Sequence, residues 1–106
     1  MRDVMRWDRA PRLLGEPVFD REDRRIGKVE DFAEAWNKEV PEWLVVRTSL
    51  FGRQRLIPID RMEEKDKKIH IPYSKKSVLL APVPEIPVRV FRWEREALAR
   101  HYARAA

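Results

Sequence analysis

The chain has 106 residues, with 23 Lys+Arg against 18 Asp+Glu, two His and no Cys. That length is one domain with a thin core, and the missing cysteine excludes disulfides and thiolate metal sites. The longest apolar run, Val78 to Val83, falls far short of the roughly 18 residues of a spanning helix, and the first residues lack a signal-peptide core, so a soluble, cytoplasmic protein without membrane insertion is expected.

The net charge of +5 sits on the ends. Residues 13–87 hold 14 basic and 14 acidic side chains, whereas residues 1–12 contribute +2 and residues 88–106 contribute +3. A nucleic-acid-binding fold usually gathers positive charge on its folded face. This body is neutral.

Residues 1–12 alternate charge and bulk without a period and read as an N-terminal arm anchored by Trp7. Residues 13–87 read as the folded domain. Val18-Phe19 suits a short strand, Asp20 to Arg25 a polar turn, and Ile26 to Phe32 a second strand running on toward Trp36. Gly27 inside that strand predicts a bulge or a close backbone approach, and the three-residue spacing of Ile26, Val29 and Phe32 agrees. Trp43 to Ile59 reads as a hairpin around Gly52, with Pro58 at a sheet edge. Lys65-Asp66-Lys67-Lys68 makes a charged turn, and Ile69 and Ile71 alternate inward past an outward His70. Ser74 predicts a cap for a short helix that Pro82 ends. Turns every 8–12 residues predict a mainly β fold, a small barrel or sandwich.

Residues 88–106 read as a C-terminal helical tail. From Phe91 the period changes, and Phe91, Leu98, Tyr102 and Ala105 share one helix face. Trp93, Ala97 and His101 form a second, partly apolar strip, and Glu96 and Arg100 stand at i,i+4. A helix of about 15 residues is marginal alone, so it must dock on its own domain or on a partner.

The ordered set Leu14-Gly15-Glu16-Pro17-Val18-Phe19-Asp20, Arg25-Ile26-Gly27-Lys28-Val29-Glu30-Asp31, Glu42-Trp43-Leu44-Val45-Val46-Arg47-Thr48, Leu50-Phe51-Gly52-Arg53, Arg55-Leu56-Ile57-Pro58-Ile59 and Ile69-His70-Ile71-Pro72-Tyr73-Ser74-Lys75-Lys76 with Ala81-Pro82 resembles the PRC-barrel family. This domain is shared by the photosynthetic reaction-centre H subunit and the ribosome-maturation factor RimM. The resemblance implies a small, strongly bent β-barrel of about six strands. It also implies an adaptor that docks proteins or ribonucleoprotein, without catalysis. The chain lacks the membrane helix of the one relative and the extra N-terminal domain of the other.

The residues themselves offer no catalytic, cofactor-binding or metal site. His70 and His101 lie in different elements without further ligands nearby. Asp20, Glu22 and Asp23 begin like a calcium loop, but Arg24 and Arg25 stand where that loop needs a ligand and its Gly, leaving a solvated turn. Glu63 and Glu64 would point to opposite faces of a strand. The glycines at 15, 27 and 52 form no phosphate loop, and the serines have no local base.

Binding candidates remain. Phe51, Arg53 and Arg55 at the hairpin tip suit a protein interface or single-stranded nucleic acid. Trp7, Trp36 and Trp93, with Leu98 and Tyr102 on the tail, are the expected interaction residues, since tryptophan outside a core is often interface. The expectation is a non-enzymatic, self-associating adaptor, most simply a homodimer, with other protein partners. The alternative is an RNA- or ribosome-associated protein using the basic termini and Arg53/Arg55.

Overall fold

The computed structural model describes residues 9–35, 40–49, 52–86 and 88–105, so Trp7, Trp36 and Phe51 lie outside the described residues. Seven strands form the sheet: β1 (Pro17–Phe19), β2 (Arg25–Ala35), β3 (Trp43–Arg47), β4 (Gln54–Pro58), β5 (Glu63–Lys65), β6 (Lys68–His70) and β7 (Arg89–Val90). Their order is β4-β3-β2-β1-β6-β5, with β7 pairing the far end of β2. A short 3-10 turn, Ala10–Leu13, precedes the sheet, and two helices follow, α1 (Lys75–Leu79) and α2 (Arg92–Ala105).

β2 organises the sheet because two irregularities bend it. Ile26 is passed over between the Val18–Gly27 and Phe19–Arg25 pairs, and Glu30 between the Val29–Val46 and Asp31–Val45 pairs. Each extra residue resets the two-residue alternation and adds twist. Ile26, Val29 and Phe32 are therefore all buried despite their spacing by three. Gly27 lies against the backbone of β3, where a Cβ would stand 1.9 Å from the Arg47 carbonyl oxygen.

The β3–β4 hairpin runs in register from Trp43–Pro58 to Arg47–Gln54, and Pro58 lies on an end strand, where its missing N–H disturbs no ladder. Trp43, Leu44, Val45 and Val46 are consecutive buried residues. This strand is covered on both faces. The β5–β6 turn places Asp66 at φ 55° and Lys67 at φ 59°, as a two-residue turn with both centres left-handed requires. β6 pairs β1 in parallel, and Ser74 caps α1 by accepting a hydrogen bond from the Ser77 N–H.

The architecture is mainly β with a C-terminal helix, as the sequence predicts, but with seven strands and an open sheet. No pairing joins the end strands β4 and β5 among the described residues. Helices occupy that flank: α1 packs on β4, and the buried Tyr102 hydroxyl donates to the Leu56 carbonyl. The Ile59 N–H donates to Glu42 O, so alternation along the ladder turns the Leu56 carbonyl away from β3 toward the free edge. Tyr73, just beyond β6, packs against Tyr102 with ring centroids 4.7 Å apart and the rings tilted by 59°. Two tyrosines thus bridge the sides that no strand joins.

The tail helix docks on its own domain. Leu98 is 0% and Tyr102 3% exposed, in one core with Leu13, Val18, Ile57 and Val78. This corrects the expectation that Leu98 and Tyr102 offer a contact surface to a partner. A helix too short to stand alone uses its widest apolar face on the nearest core.

Candidate interaction surface

Two buried carboxylates hold the connections around which the surface is built. Asp20, 2% exposed, accepts the backbone N–H groups of Glu22 (2.9 Å), Arg24 (2.8 Å) and Lys75 (2.9 Å). Burial pushes its pKa up, but the three N–H groups and the Arg24 charge outweigh burial and hold it below the usual carboxylate range. The expected solvated turn is therefore solvated from Arg21 to Arg25 but not at Asp20. Asp20 is its buried hub, joining the turn to α1. Glu94, 3% exposed, accepts the Phe91 N–H at one oxygen and the Glu85 N–H at the other, both at 2.9 Å. It reaches back to the start of α2 as the acidic member of a capping box does, and it pins the proline-rich segment to the helix.

The hairpin tip is less available than its sequence suggests. Arg47 is held by Glu30 at 2.9 and 3.0 Å, and Gln54 donates to the same carboxylate at 2.8 Å. Those Gln54 and Arg47 contacts lower the Glu30 pKa. Arg53 is exposed, but Arg55 is half-buried and its Nε is sealed without a partner. Its charge lies near the Tyr102 phenol. Of the two arginines, Arg53 is the exposed one.

Both histidines pack. His70 stacks on Phe19 at 5.6 Å with Nδ1 3.6 Å from Asp23. His101 Nε2 lies 2.6 Å from the Ser77 carbonyl, which only accepts, so this nitrogen carries the proton.

Trp93 is different. It is 62% exposed on a helix whose other face is core. The His101–Ser77 and Glu85–Glu94 contacts fix the chain from Ser77 to Glu85 antiparallel to α2 from His101 back to Glu94. Leu80 and Val83 on that segment are exposed, and Ser77 at its start lines one groove with Ala97, Arg100 and Arg104 of the helix. Ile86 and Val88 extend the apolar exposure around the helix start. Arg95 is committed elsewhere, to Glu42 at 3.0 and 3.2 Å. The sequence singled out Trp93. It did not single out Leu80 and Val83, which the fold leaves exposed on the segment tied to α2.

Sequence reasoning also missed Glu16, because nothing local marks it. Glu16 is 8% exposed with Oε1 unpartnered, close to Glu64 of β5, which Arg12 contacts at 3.4 Å. Burial, a hydrogen bond to the Glu64 carboxyl and the Glu64 charge push its pKa up to about 7, against Arg12 and Lys67. A raised carboxyl pKa means the folded state takes up a proton. The stability this brings is complete below the unfolded value of 4.5 and is lost as pH rises through about 7. Glu16→Gln is therefore expected to match the native chain below about pH 4.5 and to exceed it in melting temperature at pH 8. Thermal melts across that range check this, and parallel curves would show that Glu16 carries no proton.

A protein-family model for the PRC-barrel domain matches residues 7–78, and comparison with curated proteins finds no match. The matched span takes in β1 to β6, both bends of β2 and nearly all of α1, which is most of the sheet just described. The chain belongs to the PRC-barrel domain family, a non-catalytic domain type.

Proposed function

We propose that the chain is a non-enzymatic adaptor of the PRC-barrel type that binds protein, and first of all a second copy of itself. The observation that carries the reading is Trp93, 62% exposed on a helix whose opposite face is core. Large aromatic side chains left exposed on a docked element are enriched at protein contact sites. In this reading residues 13–87 are the adaptor body, residues 88–106 carry its contact surface, and residues 1–12 are an arm. The bent sheet acts as a barrel whose seam is closed by Tyr73 and Tyr102 instead of by strand pairing. No helix among the described residues is long and apolar enough to cross a membrane, and we assign the protein to the cytoplasm.

A nucleic-acid role through the basic ends and Arg53/Arg55 is the weaker reading. Half-burial of Arg55 leaves Arg53 as the exposed arginine of that pair, and phosphate binding draws on clustered charge. Light scattering on the purified chain tests self-association. A species of twice the 12.7 kDa chain mass that persists in high salt is expected. A monomer at every concentration overturns the self-associating adaptor.

A further inference from the structure

We propose that the second copy docks α2 against α2 in an antiparallel two-fold contact, with Trp93 of each copy over the Arg104 guanidinium of the other. The proposal rests on the self-association reading and specifies its geometry.

At 3.6 residues per turn, Trp93, Ala97, Arg100 and Arg104 stand at i, i+4, i+7 and i+11, which is one seam along the helix. That seam lies away from Leu98 and Tyr102, which are committed to the core, and its Ala97, Arg100 and Arg104 line one groove with Ser77. A two-fold contact is isologous, so a residue faces its mate in both directions. In an antiparallel pair centred between Ala97 and Arg100, Trp93 faces Arg104 and Ala97 faces Arg100. The small Ala97 leaves room for the arginine stem, and Glu96 beside the seam comes within reach of Arg100 of the second copy.

The charges select this arrangement. On α2, Arg95 is engaged by Glu42, and Arg92 meets Glu96 only at 3.8 Å with 93% of its side chain exposed. Arg100 and Arg104 have no carboxylate partner among the described residues. A parallel pairing would set these two arginines against their own copies. The antiparallel one gives Arg104 an aromatic face and Arg100 a carboxylate, each twice.

The area is adequate. Trp93 with Leu79, Leu80, Val83, Ile86 and Val88 is 38–66% exposed. Their exposed apolar surface is on the order of 500 Å² in sum. With the arginine stems it approaches the roughly 800 Å² per partner of a standard interface.

The test is the concentration dependence of mass of the full chain, with circular dichroism confirming that each variant stays folded. Glu96→Arg and Arg100→Glu each set like charges across both symmetric contacts and should weaken the dimer roughly tenfold. The double variant should restore it. Trp93→Ala should leave a monomer. A native monomer would sink self-association and this geometry together. A native dimer indifferent to the single reversals, or not restored by the double, would overturn this geometry alone.

Discussion

Asp20→Ala is expected to destabilise the chain by about 3–5 kcal/mol at neutral pH, a large part of the stability of a domain this size. One carboxylate satisfies the backbone N–H groups of Glu22, Arg24 and Lys75. Alanine would strand these donors in a site where Asp20 itself is 2% exposed. The damage is not local, because the Lys75 bond spans 55 positions and holds the first turn of α1 to the end of β1. Asn keeps an oxygen for two of the donors and should lose about half as much.

The pH dependence gives a second check. The folded carboxyl titrates below its unfolded value of 3.8, so its contribution is present above that value and lost as pH falls through the depressed one. Urea midpoints of native and Asp20→Ala chains should therefore converge in strong acid and stand apart at pH 7. A difference below about 1 kcal/mol at neutral pH would mean that the three bonds are ornamental.

Local patterns in the sequence specify the strands but not what crosses between them. Trp43 to Ile59 reads as a hairpin because its apolar runs and turn lie next to one another in the chain. Ser74 reads as a cap because its partner, Ser77, is three residues away. Asp20 looks like part of a charged, solvated run because its partner at Lys75 is remote. The Glu16 and Glu64 carboxyls meet only when β6 pairs with β1 and carries β5 with it. The same limit governs the surface. Helical spacing separates Trp93 from Leu98, yet which strip faces the core depends on where β4 ends and which edge carbonyl needs a donor. Tyr102 answers that need at Leu56, and its burial draws Leu98 with it. Trp93 is left outside by that geometry.

Gly27→Ala is the other substitution expected to cost most, about 3 kcal/mol or more, for a reason that separates the glycines. An added Cβ at Gly27 would meet the Arg47 carbonyl oxygen at 1.9 Å, its carbon at 2.8 Å and Thr48 Cα at 3.1 Å. All three are backbone atoms, so no side-chain rotation relieves the contact. β2 also cannot retreat, because Gly27 pairs with Val18 of β1 on its other side. The strain would fall on the start of the β3–β4 connection, where Arg47 holds Glu30 and Glu30 holds Gln54. Gly15 is the contrasting case: its φ is +84° and nothing lies within 4 Å of an added Cβ. Gly15→Ala meets only the conformational penalty of a left-handed residue, about 1 kcal/mol. Equilibrium unfolding of the two variants should rank them in that order. The reverse order would mean that β2 and β3 do not approach at Gly27 as closely as this sheet requires, and that the bend of β2 arises from its passed-over residues alone.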